Sequence, residues 1–200
     1  MVQTQQAELV AQEAKLGETQ DNSHPIEKLF KSSAKDILDA LQIGSRARVD
    51  VKGKLAELYL LRKLETLKAS GAIDDFVHQD IDGEPDFLVT RNGKTYRLEC
   101  KNLRDAEDGR YRKNGATLAY KVEVQKTRNS KDGTNTRHYR RDYIDILAVC
   151  LFNQIGEWGF YFIKAEDLEV QPDDIEYIKV MQRVPLSPSG VWKTELVDVL

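Results

Sequence analysis

Two carboxylates are spaced along the chain so that a β-hairpin would bring them together. Asp86 precedes the pair Asn92-Gly93, and Glu99 follows it. An Asn-Gly pair between two strand-like runs predicts a two-residue hairpin turn, and the register set by that turn places Asp86 opposite Glu99. Carboxylates on such cross-strand partners, with Cβ atoms roughly 4.5 to 5.5 Å apart, repel each other unless a cation or a proton lies between them.

Lys101 extends this pair, because it lies two residues after Glu99 and therefore on the same face of the strand. Mg²⁺ prefers oxygen ligands from one or two carboxylates, water and phosphate, and a neighbouring lysine can orient or deprotonate an attacking water. The three side chains therefore predict phosphodiester hydrolysis. The alternative is an ordinary salt-bridge cluster on a solvated sheet face, where such pairs contribute about 0 to 1 kcal/mol.

A third carboxylate, Glu57, lies on a helix predicted from about residue 51 to residue 69. At 100° per residue, Glu57 falls in the middle of the apolar stripe of that helix. A carboxylate that faces the core needs a partner. We expect either a metal ion held by the hairpin carboxylates, or a lysine such as Lys54 or a capping hydrogen bond.

The other elements follow from periodicity and turn residues. Apolar residues recur at helical spacing from residue 25 to Gly44, which predicts one amphipathic helix or two short ones. Strands are predicted within 73–81, 85–90, 95–101, 120–126, 143–152 and 158–163, with a turn at 91–94, a loop or short helix at 102–118, a flexible basic loop at 127–141 and an irregular tail. The run at 143–152 is nearly all apolar, as expected of a strand that is buried on both faces.

Composition narrows the class of protein. The chain has 200 residues, 40% hydrophobic and 32% charged, with no apolar run near the roughly 18 residues that a membrane span needs. We expect a flexible arm at 1–24 followed by a single domain at 25–200. There is no signal-peptide pattern, and the only two cysteines, Cys100 and Cys150, are expected to be packing residues, so a cytoplasmic location is predicted.

The net charge of -3 conceals a strongly basic segment. Residues 101–141 carry 12 basic and 5 acidic side chains, whereas residues 142–200 carry 4 basic and 11 acidic ones. A basic block of this kind is typical of proteins that bind an anionic polymer, although a solvated loop is the bland alternative. The segment therefore favours a nucleic acid partner.

Taken together, these residues resemble a known family. Pro85-Asp86, then twelve residues, then Glu99-Cys100-Lys101, after a helix with an inward Glu57, is similar to the motif of the PD-(D/E)xK nuclease superfamily. The resemblance spans roughly residues 50–165. It implies an α/β fold with a restriction-endonuclease-like core, in which a central mixed β-sheet is flanked by helices, here with an N-terminal helical arm. It also implies that Asp86, Glu99, the Cys100 backbone carbonyl and Glu57 surround Mg²⁺, or Mn²⁺ as a substitute, with Lys101 at the water.

The downstream segment further resembles the small type II restriction endonucleases. Glutamine can contact adenine and arginine can contact guanine, while lysine and arginine bind phosphates. The candidate DNA-binding residues are Gln125, Lys126, Arg128, Arg137, Arg140 and Arg141. Each alone is more simply explained as an exposed polar side chain, so the prediction depends on the cluster.

The resemblance implies a Mg²⁺-dependent endonuclease that acts on double-stranded DNA, with sequence-specific type II restriction as the preferred role. Such enzymes commonly act as homodimers on two-fold symmetric sites. One alternative is a repair or junction-resolving nuclease of the same fold, which would cut branched DNA regardless of sequence. Another is a catalytically silent DNA-binding module, which would not bind metal at this position.

Overall fold

The structure is a computed structural model that describes residues 23–81, 83–105, 107–126 and 137–200. Its helices are α1 (Pro25–Phe30), α2 (Ala34–Ile43), α3 (Ser45–Ala69) and α4 (Phe152–Ile155). Its strands are β1 (Asp75–His78), β2 (Phe87–Arg91), β3 (Lys94–Asn102), β4 (Arg110–Lys113), β5 (Ala116–Glu123), β6 (Ile146–Cys150), β7 (Phe160–Lys164) and β8 (Met181–Val184). Most of the predicted arm, residues 1–22, lies outside the described residues.

A five-stranded mixed sheet carries the fold, with strand order β1-β2-β3-β6-β7. Its neighbours pair antiparallel except β3 and β6, which run parallel. The turn at Asn92-Gly93 has positive φ at both residues, as a type I′ hairpin requires. Arg91 pairs with Lys94 and Phe87 with Leu98, which is the register predicted from the sequence.

Each face of this sheet packs against a different element. Residues of β2, β3, β6 and β7 on one face form a core with the buried side of α3, including Ala56, Leu60 and Leu64. On the other face, Leu147 and Val149 pack with Val122 and other residues of a second hydrophobic cluster. All five residues of β6 are buried, which confirms the strand predicted to be covered on both faces.

The second cluster is built on a three-stranded antiparallel sheet with order β4-β5-β8. The prediction of a loop or short helix over 102–118 was therefore wrong in part, since β4 and the start of β5 lie there as well as a short 3₁₀-helix, Glu107–Gly109. Asn114 and Gly115 form a second hairpin turn with positive φ, between two strands rich in charged and small residues. The tail, predicted to be irregular, contributes β8, which pairs with β5.

The predicted mixed α/β fold with a central mixed sheet and flanking helix is thus confirmed, and the second sheet is an addition to it. The chain divides into two compact units at residues 48 and 49. In the first unit, α1 and α2 are two separate short helices, one of the two forms the sequence allowed. The predicted boundary at residue 24 stays a prediction. No helix in the described ranges has the length and apolarity to cross a membrane.

One ion pair joins β3 to the residue directly before β6, its parallel neighbour. The Asp145 carboxylate, just before β6, accepts hydrogen bonds from the Arg97 amide at 2.7 Å and from its guanidinium at 3.0 Å. Burial works to raise the pKa of Asp145, but these hydrogen bonds from Arg97 outweigh it and lower the pKa below its usual value. The pair therefore stabilises the folded state with Asp145 ionised.

Replacing Asp145 by alanine should lower the free energy of unfolding by about 1 to 3 kcal/mol at neutral pH, because Arg97 loses a charged hydrogen-bond partner. Since the native pKa of Asp145 is lowered, this stabilisation is present above the usual pKa of 3.8 and is lost as the pH falls through the native value. Chemical denaturation at several pH values would measure it. Asp173→Ala, at an exposed carboxylate outside this pair, is the control and should change stability by less than about 0.5 kcal/mol. An equal effect of both substitutions would contradict this account.

Candidate active site

The hairpin brings the predicted acidic pair together at the edge of a buried region. Asp86 lies directly before β2, at the position opposite Glu99 in the observed register. Its Oδ2 accepts a hydrogen bond of 2.8 Å from the backbone amide of Cys100. This contact fixes the Asp86 carboxylate against β3. The sequence-based prediction that Asp86 and Glu99 lie together is supported by this geometry.

Glu99 is buried, with 3% of its surface exposed. Its Oε1 accepts hydrogen bonds from the Lys101 ammonium at 2.5 Å and from the Tyr139 hydroxyl at 2.6 Å. Among the described residues, no group donates to its other oxygen, Oε2, although that atom is also buried. A salt-bridge cluster on a solvated face, the alternative considered above, does not fit this burial.

The carboxylates of Asp86 and Glu99 lie close together where little water reaches them, and this shifts the pKa values of the groups at the site. Burial and the nearby Glu99 carboxylate raise the pKa of Asp86 to about 7, against the Lys101 ammonium and the Cys100 amide, which lower it. Burial would lower the pKa of Lys101, but Glu99, Tyr139 and Asp86 raise it well above its usual value. Lys101 is therefore held as an ammonium ion in this environment. Burial also raises the pKa of Tyr139, whose hydroxyl stays a donor to Glu99.

Glu57 points inward from α3, as its place in the apolar stripe predicts, with 16% of its side chain exposed. Its Oε2 lies 2.8 Å from the Lys54 ammonium and 3.6 Å from His78 Nε2. Lys54, one of the partners considered above, thus pairs with Glu57, and the metal alternative stays a prediction. Glu57 still contributes to the field at the site, since its charge is among the causes that raise the pKa of Asp86.

The donor set fits a hard divalent cation held by two carboxylates. Within the described ranges, no three His, Cys, Asp or Glu side chains are grouped closely enough to form a metal site by themselves. Mg²⁺, however, usually takes only one or two carboxylates and completes its coordination with water and phosphate. The buried Glu99 Oε2, with no protein donor, beside Asp86 is the oxygen arrangement that such a cation would satisfy.

The structure places the candidate DNA-binding residues on both sides of a segment that follows β5. Lys126 and Arg137 pair, with the Lys126 amide donating to the Arg137 carbonyl at 2.8 Å. Gln125 is half-buried and donates to Glu123. Arg128 lies outside the described residues, as does most of the predicted basic loop. The proposed roles of these residues in binding DNA stay predictions.

Arg140 and Arg141 are both exposed, but each has protein partners. Arg140 lies 3.3 Å from Asp142 and 3.2 Å from Glu176. Arg141 donates to the Glu166 carbonyl at 3.4 Å. Any phosphate bound by Arg140 would therefore compete with two carboxylates for the guanidinium.

Tyr139 is the site residue that sequence reasoning missed. It is 3% exposed and lies directly before Arg140, at the end of the basic segment. Its hydroxyl contacts Glu99 although 40 residues separate the two in sequence. The basic, loop-like segment around Tyr139 has no helical or strand periodicity from which its direction could be predicted. Local residue spacing also does not encode a contact between residues 40 positions apart.

Comparison with known proteins gives few relatives. No protein-family model matches the sequence, and no curated protein matches it. Among solved structures, the chain is similar to a bacterial homing endonuclease, I-Ssp6803I, with a TM-score of 0.45 and 16% sequence identity. The similarity covers 73% of this chain and 80% of that chain. Membership in the PD-(D/E)xK superfamily stays a prediction from the motif, and the function is inferred from the site itself.

Replacing Asp86 by asparagine should raise the free energy of unfolding by about 1 to 2 kcal/mol in EDTA, the usual gain when strain at a functional site is relieved. At pH 8, above the pKa of about 7 that Asp86 has in the folded protein, the change removes one of two neighbouring buried charges and keeps an oxygen that can accept from the Cys100 amide. Urea denaturation would measure the difference. Asp173→Asn, at an exposed carboxylate, is the matched control and should have little effect. A loss of stability in Asp86→Asn would show that the two carboxylates do not repel each other in the folded protein.

Proposed function

We propose that the protein is a Mg²⁺-dependent endonuclease that hydrolyses phosphodiester bonds in DNA. The observation that carries this proposal is the buried Glu99, with Oε1 held by Lys101 and Tyr139 and Oε2 without a protein donor, beside Asp86. An arrangement whose charges are poorly balanced within the protein is typical of a site that binds a cation and an anionic substrate.

Asp86, Glu99 and the Cys100 carbonyl would hold the metal. Mg²⁺ bound there supplies positive charge that polarises a phosphoryl oxygen and lowers the pKa of a bound water. Glu57 adds negative charge to the surroundings from α3, where Lys54 and His78 hold it.

Lys101 has the second role in this proposal. Its ammonium lies 2.5 Å from Glu99 and is half-buried, so it can donate to the attacking water and to a phosphoryl oxygen that gains negative charge. Donors fixed in advance at the point where charge develops are worth roughly 100- to 1000-fold in rate. The contact with Glu99 fixes the ammonium before the substrate arrives.

The more specific proposal is sequence-specific cleavage of the type II restriction kind by a homodimer. The support is the basic segment, in which Gln125 pairs with His138 and Lys126 with Arg137, and in which the neighbouring Tyr139 donates to Glu99. A two-fold symmetric target is matched by a two-fold symmetric enzyme. The cleavage assay below distinguishes this restriction role from two alternatives. One is a structure-specific repair or junction-resolving nuclease, and the other is a silent DNA-binding module.

The proposal predicts that purified protein cuts plasmid DNA in Mg²⁺ and not in EDTA, and that Lys101→Met slows cutting by about 100-fold or more. Glu99→Gln should abolish cutting. Gel electrophoresis of the products, with thermal melts to confirm folding of each variant, measures this. Lys63→Met is the matched control, because Lys63 lies on α3 and pairs with Glu195.

Discrete bands support restriction, and end mapping would give the site. Cleavage only of branched DNA would replace restriction with the structure-specific role. Cutting by Lys101→Met at the rate of the unmodified protein, or cutting in EDTA, would contradict the site assignment. No cleavage of either DNA would favour the silent binding module.

A further inference from the structure

A cavity of about 470 Å³ lies next to the carboxylate site. Its lining includes one carboxylate, Asp142, together with three tyrosines and several cationic side chains, among them Lys126, Tyr139, Arg140, Tyr143 and Tyr177. A volume of this size is within the range of pockets that hold small ligands. Tyr139 forms a wall common to the cavity and the site, because its ring lines the cavity while its hydroxyl donates to Glu99.

A column of stacked groups leads from the site into the cavity. Lys101 Nζ lies 5.6 Å from the centroid of the Tyr139 ring, and the Tyr139 ring stacks on Tyr143 with centroids 4.6 Å apart and planes at 14°. Lys126 Nζ lies 4.9 Å from the Tyr143 centroid. The column thus begins at the ammonium of the site and ends at a lysine on the cavity side.

Tyr143 is held in place at its polar end. Its hydroxyl donates to the Gly83 carbonyl at 2.5 Å, and its ring is half-buried. A ring fixed by a hydrogen bond and by a stacked neighbour presents a rigid aromatic surface at little cost in conformational entropy. The group that contacts this ring on the cavity side is the ammonium of Lys126, a long side chain that can move.

The opposite part of the cavity has the same chemistry. The Arg140 guanidinium lies 5.9 Å from the Tyr177 ring centroid, and His138 meets that ring edge-on at 6.4 Å. Aromatic faces together with lysine and arginine are the combination that binds single-stranded nucleic acid, in which bases stack on the rings and phosphates meet the cations. A base inside a duplex is already stacked on both faces and cannot use such a ring.

We propose that this cavity binds one unpaired nucleotide next to the phosphate that is cut. Its base stacks on Tyr143 in place of the Lys126 ammonium, and its phosphate is bound by Lys126, with Arg140 as a second cation once its guanidinium leaves Asp142 and Glu176. This inference rests on the endonuclease activity proposed above, and it names the form of DNA that the site takes, one in which a nucleotide is unpaired or has left the base stack. The Tyr139 ring separates the cavity from the carboxylate site. A nucleotide stacked on Tyr143 therefore positions its adjoining phosphate toward Lys101 and Glu99.

The test is a binding measurement in EDTA, so that it does not depend on cleavage. Fluorescence anisotropy would compare a short duplex that carries a single-nucleotide bulge with the same duplex without the bulge. Base stacking on an aromatic side chain corresponds to roughly 5- to 150-fold in affinity. The protein should therefore bind the bulged duplex about tenfold more tightly, and Tyr143→Leu should reduce this preference to less than about twofold.

Tyr111→Leu is the matched control. Tyr111 is also half-buried and lies between two cations, Lys121 at 5.0 Å and Arg183 at 4.4 Å, but it lies in the second sheet and does not line the cavity. This variant should keep the full preference for the bulge. Equal binding of both duplexes by the unmodified protein, or loss of the preference in both variants, would overturn the inference.

A second measurement does not require a variant. A 5-iodouracil at the bulge, irradiated in the complex, should crosslink to the peptide that contains Tyr139 and Tyr143, as identified by mass spectrometry. A crosslink only to a peptide outside the cavity would overturn the inference. If the protein cuts DNA but shows no bulge preference, the inference fails while the proposed function stands. If it prefers the bulge but cuts no DNA, the proposed function fails, and of this inference only the binding of an unpaired nucleotide in the cavity stands.

Discussion

The buried carboxylate of Glu99 is the constraint around which the site is organised. A charge at 3% exposure requires partners, because its desolvation costs several kcal/mol. Lys101 and Tyr139 donate to one oxygen, and they come from different parts of the chain: one from the same strand, the other from the segment that leads into β6. The two hydrogen bonds to one oxygen of Glu99 therefore connect the central sheet to the basic segment that contains Tyr139.

The position of Asp86 adds a second charge where a folded protein would avoid it. The Cys100 amide holds Asp86 in place, and burial together with Glu99 disfavours its ionised form. The rest of the hairpin is well packed, with Phe87, Val89 and Leu98 fully buried on the opposite face. A stable core thus supports a local arrangement that is electrostatically unfavourable by itself and that the proposed cation would relieve, which is the usual compromise between stability and function.

The hairpin was predictable because its signals are local. Asn92-Gly93 fixes the turn type, and the alternation of side chains then fixes which residues face each other. The inward direction of Glu57 followed from helical periodicity in the same way. The partner of Glu57 could not be predicted in this way, because the choice between a metal ion and Lys54 depends on distances across the fold. The same Asn-Gly signal at Asn114-Gly115 was missed, since the flanking residues are polar and lack an alternating pattern.

Long-range pairings account for the other failures. β8 pairs with β5 across about sixty residues, and nothing in its short sequence distinguishes it from the irregular tail. Tyr139 reaches Glu99 through a fold that local spacing does not encode. The sequence therefore predicted the residue types of the site and their hairpin, whereas the groups that hold Glu99 and form the neighbouring cavity became visible only in three dimensions.

The most direct test of the central claim is the effect of Mg²⁺ on thermal unfolding without DNA. Binding to the folded state stabilises it by about 1.4 kcal/mol at a free concentration tenfold above the dissociation constant. The melting temperature of the unmodified protein should rise with Mg²⁺ concentration, whereas that of Glu99→Gln, which keeps an oxygen for Lys101 and Tyr139, should not change. An equal rise in both proteins, or no rise in either, would contradict a metal site formed by Glu99 and Asp86.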